Sequence, residues 1–432
     1  MTARDAIRSL ATVPPSARPP TEGRPRVGLV LSGGAARGAY EAGVLRYIAH
    51  DLVRETGVRP WFDVVCGTSV GALHACFVAA TIDVLDDATR LLVERWQELE
   101  IDRVLRVSPR ELLRFAWSAA GGATSHDPEE LGPPRRRGGI IDTRALERFV
   151  IGSVPWTRIR RNLDARAIDA LTVTATHVAS GDTVVFVDTR RPLPRWSPDP
   201  HVRAQAAHVG PWHALASAAI PFLFPAMPLD GTFYVDGGLR LNTPLSPALR
   251  LGAERVLVIA LRHLDTPEEI AARRANVGRA REEALPSPFF LAGKTLNALL
   301  IDRVDYDLQR MRRTNAVIRA GVSVFGEEFT DRLNGMLGLE GWTSMREIRD
   351  LMVRPSLDLG ELAAQHARSE DFARSATGLA GRLVRRLAET EASDEADLLS
   401  YLLFDGGFAR RLAQLGWEDA RARRDEIAAF FE

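Results

Sequence analysis

Two apolar runs, each ending in a glycine-rich turn and followed by an apolar-faced stretch, organise the first hundred residues of the chain. Val27 to Leu31 read as a buried strand, and Tyr40, Val44, Tyr47 and Ile48 then fall at i, i+4, i+7 and i+8, one face of a helix. Phe62, Val64 and Val65 predict a second buried strand, and Val70, Ala72, Leu73, Ala75, Phe77 and Val78 predict the helix after it. Residues 83–101 and 109–120 are helix-like, whereas 171–178, 183–188 and 255–261 read as further strands. Residues 212–227 read as a helix broken at Pro221. The economical arrangement is an α/β fold, three-layer α/β/α, with a mainly parallel central sheet.

The two turns carry the candidate chemistry. Gly67-x-Ser69-x-Gly71 places a serine on a strand-to-helix bend, where small flanking residues avoid a clash and the helix N-terminus favours a developing anion. A helix-capping serine would satisfy the five residues alone; the strand-turn-helix context favours a displayed nucleophile. The Ser32–Gly38 turn offers backbone N–H groups to an anion. A dinucleotide phosphate fits poorly, because Gly33-x-Ala35-x-x-Gly38 lacks the second glycine of that fingerprint and no acidic residue ends a second strand at the expected distance. An acyl-transfer oxyanion fits better, since it needs N–H donors close to a nucleophilic serine.

Three ordered segments, LSGGAARGAYEAGVL, CGTSVGAL and YVDGGLRLNTPLSPA (234–248), resemble the patatin-like phospholipase family over roughly residues 26–262. The resemblance implies a serine acyl hydrolase that cleaves lipid carboxylic esters, with a lipid ester as substrate and no metal or other cofactor. It implies Ser69 as nucleophile, Asp236 as its partner in a Ser-Asp dyad, and Gly33, Gly34 and Ala35 as the oxyanion hole. Ala35 stands where the family has a third glycine, so its donor depends on a backbone conformation that alanine can adopt. A carboxylate base for serine needs a closed apolar site to raise its pKa, and Phe222, Leu223 and Phe224 are candidates to line it. Arg37, the lone charge of the loop, meets either a phosphate headgroup or Glu41 at i+4.

Two alternatives stay open at this point. One keeps the fold without catalysis, as a membrane-associated lipid-binding or regulatory module. The other is a Ser-His-Asp hydrolase, although His74 lies off the face of Ser69, and His177, His201, His208 and His213 have no context that nominates them.

Composition narrows the setting. A formal net charge of zero over 432 residues leaves no nucleic-acid footprint. The two cysteines, Cys66 and Cys76, flank the elbow in apolar segments and read as core thiols. Residues 1–25 are rich in Pro and Arg with no apolar h-region, and read as a disordered leader rather than a signal peptide. No run approaches a spanning helix, so the expectation is a cytoplasmic protein with peripheral membrane contact. Residues 26–262 are expected to form the catalytic domain and 263–432 a mostly helical accessory region. The Gly/Pro/Arg loop 121–139, with Arg135 to Arg137, is long enough to act as a flap, and 289–311 has an amphipathic face for packing or docking. Residues 397–420 resemble C-terminal extensions of bacterial patatin-like proteins.

Overall fold

Strands rich in Val, Leu and Ile line up in one mixed sheet in a computed structural model of the chain. It describes residues 2–13, 24–104, 106–107, 141–197, 199–221, 223–271, 304–378, 380–382, 384–385 and 393–432. The expected helix 109–120, the flap 121–139 with Arg135 to Arg137, and residues 289–303 of the amphipathic segment lie outside these.

Nine strands form the sheet among the described residues. They are β1 (Val27–Leu31), β2 (Val64–Thr68), β3 (Ala170–His177), β4 (Thr183–Thr189), β5 (Val202–Ala206), β6 (Met227–Leu229), β7 (Thr232–Asp236), β8 (Arg255–Ile259) and β9 (Arg349–Val353). Their order is β9-β8-β1-β2-β3-β4-β5, with β7 paired to β3 and β6 paired to β7. The pairs from β9 through β3 are parallel, as is β4 with β5. β3 pairs antiparallel with both β4 and β7, and β6 with β7. Every residue of β1 and β2 is buried, as a sheet covered on both faces requires.

Helices α2 (Gly38–Arg46), α3 (Val70–Thr81), α4 (Leu85–Gln97), α5 (Arg144–Ser153) and α6 (Pro211–Ser217) follow the strands. All twelve residues of α3 are buried, so it is apolar all round rather than on one stripe. α6 stops at Ser217, short of the expected break at Pro221.

Residues 3–10, expected within a disordered leader, instead form α1 (Ala3–Leu10). Thr2 caps it, and Ala3 and Ile7, one turn apart, bury their side chains in the main core. Arg158, fully buried and paired with Asp83 at 2.5 Å, donates to the Leu10 carbonyl and fixes the end of the helix.

The region after residue 262 is joined to the same core. It supplies α7 (Val304–Phe325), the edge strand β9, then α8 (Leu359–Ala367), α9 (Ser393–Leu402), α10 (Gly406–Ala422) and α11 (Arg424–Phe431). α10 lies against α2 at backbone contact distance. A Cβ on Gly43 would fall 1.9 Å from the Ala413 oxygen, and one on Gly416 would fall 2.2 Å from the Tyr40 oxygen. Phe408 and Leu412 of α10 are fully buried in the core that also holds Leu29 and Leu31, and each such side chain contributes roughly 1.5–3 kcal/mol. Tyr40 and Trp417 find acceptors in Asp419 and Asp51 at 2.9 and 2.7 Å. Among the described residues no helix is long and apolar enough to cross a membrane.

Candidate active site

Strand register brings the chemistry together. Leu31 of β1 is paired with Gly67 of β2, so the turn that begins at Ser32 lies beside the one that carries Ser69. Thr68 is paired with Thr174 of β3, and Ala175, the next residue, is paired with Asp236 at the end of β7. Parallel strands end here, where open α/β sheets hold ligands. Ser69 Oγ donates to Asp236 Oδ2 at 2.7 Å, and both residues are buried.

The elbow is held by close backbone approach. A Cβ on Gly67 would sit 2.1 Å from the Gly71 oxygen, and one on Gly71 would sit 2.3 Å from the Leu31 oxygen. Neither position has room for a side chain. Ser69 itself has φ +56°, a left-handed conformation that costs a non-glycine residue on the order of 1–3 kcal/mol. Its N–H donates to Ser217 Oγ at 2.8 Å, and that hydroxyl donates to the Thr174 carbonyl. Ser217, at the end of α6, therefore ties the Ser69 turn to β3. Sequence reasoning missed it, since nothing local marks a helix-end serine as a partner for residue 69.

Burial pushes the Asp236 carboxyl up to about 7, against the pull of the Gly238 N–H and the Ser69 hydroxyl. The Gly238 N–H reaches Oδ1 at 2.7 Å, while the Asp236 backbone bonds to Ala219 and to the Thr176 hydroxyl. The carboxylate is thus held at both oxygens, one facing Ser69.

The glycine-rich turn departs from the expected donor set. The Gly33 N–H already donates to the Asn242 carbonyl at 3.0 Å, so it is engaged within the protein rather than open to an anion. Among the described residues, the Gly34 and Ala35 N–H groups have no protein acceptor. Ala35 has φ +49°, the left-handed region where alanine is strained, and it lines the same cavity as Ser69. Ser32 turns its hydroxyl to Thr243 at 2.5 Å.

Arg37 does not face the cavity. It is buried, donates from Nε to Ser400 Oγ at 2.7 Å, and stacks 3.9 Å from the ring centre of Tyr401. Among the described residues it forms no ion pair with Glu41. Glu41 instead bonds His74 Nδ1 at 2.7 Å, and Trp96 donates to His74 Nε2. Burial lowers His74 to about 3 and raises Glu41 well above the usual carboxylate range. His177 bonds Ser180 and Thr232, and the ring of His213 accepts from the Gly210 N–H. Among the described residues no histidine is bonded to Ser69. Burial also pushes the Cys66 thiol up to about 12, as suits a core thiol.

The cavity beside Ser69 is narrow and mostly apolar. Leu73, Trp96, Leu215, Ile220, Phe224 and Phe404 are among its walls, and its volume is about 50 Å³. That holds roughly one or two waters, against the roughly 300–1,000 Å³ of a typical ligand pocket. Phe224 is a wall as expected; Phe222 lies outside the described residues. Phe404, from the C-terminal region, had no signal in the local sequence.

The patatin-like phospholipase family model matches residues 29–249. A cGAMP-activated phospholipase of Pseudomonas aeruginosa is 31% identical over 216 residues, 50% of this chain and 53% of that protein. The chain thus spans about half the length of the curated relative it matches. Similar solved structures include VipD from Legionella pneumophila, at 13% identity and a TM-score of 0.28, covering 89% of this chain and 92% of that one. They also include human GIVD cytosolic phospholipase A2 in complex with methyl gamma-linolenyl fluorophosphonate, at 14% identity and a TM-score of 0.38, covering 99% and 61%. The ExoU–SpcU complex of Pseudomonas aeruginosa matches at 15% identity and a TM-score of 0.26, covering 89% and 75%.

Proposed function

The chain belongs to the patatin-like phospholipase family, and from that membership we propose that it is a serine acyl hydrolase of lipid carboxylic esters, with Ser69 as nucleophile and Asp236 as general base. The observation that carries the reading is the 2.7 Å hydrogen bond from Ser69 Oγ to a buried Asp236 whose pKa is pushed up to about 7. At that pKa a carboxylate matches the working pH of a general base.

In the first half-reaction Ser69 Oγ attacks the ester carbonyl carbon, and its proton passes to Asp236. The carbonyl oxygen becomes an oxyanion facing the N–H groups of Gly34 and Ala35, each worth about 3 kcal/mol of barrier. Collapse breaks the bond to the alcohol oxygen, which leaves with the proton held by Asp236. In the second half Asp236 takes a proton from water, the hydroxide attacks the acyl-serine, and the fatty acid departs as Ser69 regains its proton.

The cavity walls select for an apolar acyl chain. With a volume of about 50 Å³ they must part before a chain enters, and a lipid surface that holds the substrate is the natural partner for that opening. Covalent labelling tests the reading. A fluorophosphonate should form one adduct on the folded protein, mapped to the Ser69 peptide by mass spectrometry. A folded protein that takes no adduct would instead favour a lipid-binding or regulatory role.

A further inference from the structure

At the opposite ends of the parallel strands from Ser69, the register of β8 and β9 pairs Arg255 directly with Arg349. Like charges facing each other on neighbouring strands repel, and a carboxylate normally separates them. Here Arg255 donates to the Phe430 carbonyl, and among the described residues neither guanidinium forms an ion pair. Both open onto a cleft of about 840 Å³ whose lining, among the described residues, includes Arg24, Arg255, Arg312, Arg319, Arg346 and Arg349 with Glu254, Glu347 and Asp350.

Those three carboxylates are already engaged. Asp350 holds Arg312 at 2.6 Å, Glu347 holds Arg319 at 2.5 Å, and Glu254 accepts the Arg26 N–H at 2.7 Å. Burial lowers the pKa of Arg255, and repulsion from Arg349 lowers it further; burial also lowers that of Arg346. Arg24 is also engaged, by Asp63 at 2.8 Å, so the surplus is the facing pair Arg255 and Arg349. Two facing cations without a carboxylate between them are unfavourable until an anion enters.

We propose that this cleft, at the start of β8 and β9, binds a phosphate-bearing anion of at least two negative charges. Guanidinium forks match phosphate oxygens two at a time. Among the described residues the lining holds no aromatic side chain, so these residues offer no stacking face for a nucleobase and recognise the anionic group itself. Its volume lies within the range of small-ligand pockets, roughly 300–1,000 Å³. The same chemistry is offered by a soluble diphosphate and by a phosphomonoester headgroup of a lipid. The proposal stands apart from the acyl-hydrolase reading.

The test is calorimetric titration of the full chain with inorganic pyrophosphate at low salt, beside sedimentation with phosphatidylcholine vesicles with and without phosphatidic acid. The comparison protein is the double variant Arg255→Gln/Arg349→Gln, and Arg90→Gln, on the exposed face of α4, is the control. Wild type and the control should bind, with the double variant weaker by about tenfold or more. Pyrophosphate should raise the melting temperature of wild type but not of the double variant. Without ligand the double variant should melt no lower than wild type, since a repulsive pair has gone. Binding of pyrophosphate identifies a soluble source; binding only to vesicles containing phosphatidic acid identifies a lipid one. Absence of binding to both probes, or equal binding by the double variant, overturns the proposal.

Discussion

Arg37 and Ser400 stand 363 positions apart in the chain and are joined by a 2.7 Å hydrogen bond in the protein interior. Arg37 closes the single turn that starts at Ala35, and the Tyr401 ring lies under its guanidinium. The C-terminal region thereby holds the loop whose amides face the proposed oxyanion, although the family match ends at residue 249.

Removing that support should loosen the loop. Tyr401→Ala loses a stacked cation and is expected to lower kcat by about tenfold while leaving KM nearly unchanged. Tyr401→Phe keeps the ring and should stay within about threefold of wild type. Steady-state kinetics on one lipid ester, with melting temperatures alongside, separate these outcomes; an unchanged kcat in Tyr401→Ala would remove the support role.

Asp236 should leave two pH signatures. As a base it must be ionised, so turnover should rise with pH through an apparent pKa near 7. Its folded pKa of about 7 lies above the ordinary 3.8, so its proton is held more tightly in the folded state. That contribution to stability is fully present below pH 3.8 and is lost as pH rises through about 7, a loss of about 4 kcal/mol. Asp236→Asn carries no such charge. It should melt above wild type at about pH 8 and close to it at about pH 4, which thermal melts across that range would reveal.

Ala35 lies at φ +49°. Glycine adopts that conformation without a Cβ penalty, so Ala35→Gly should stabilise the fold by about 1 kcal/mol and keep the rate of fluorophosphonate labelling. Ala35→Val should destabilise it and slow labelling. Chemical denaturation and a labelling time course measure both effects.

Gly71→Ala places a Cβ 2.3 Å from the Leu31 oxygen, and the contact is with backbone, which has little freedom to give. The expected loss is about 3 kcal/mol or more, read as a lower denaturation midpoint, with labelling falling in step. An equally stable, fully labelled variant would mean that the elbow is looser than its packing indicates.

Much of this site was legible because its determinants are local. Gly67 answers to a contact within its own strand-turn-helix unit and Gly71 to the adjacent strand β1, and the apolar runs mark strands buried on both faces, so Ser69, the elbow and the sheet could be read directly. Asp236, at a strand end before two glycines, reads locally as an ordinary turn aspartate, and only the family resemblance singled it out. What could not be read was set by distant partners. The Gly33 amide is bonded to Asn242, the Ser69 amide to Ser217, and Arg37 to Ser400 and Tyr401. No periodicity encodes which loop meets which after folding. The α1 helix was obscured by the proline-rich stretch after it, although Ala3 and Ile7 already carried a one-turn apolar spacing.

Hydrolysis of a long-chain phospholipid in mixed micelles by wild type, Ser69→Ala and Asp236→Asn tests the central claim most directly, with circular dichroism confirming that all three are folded. The dyad predicts release of fatty acid by wild type and a loss of about a thousandfold or more in each variant. Wild-type turnover in folded Asp236→Asn would contradict it, because the proton of Ser69 would then need another base.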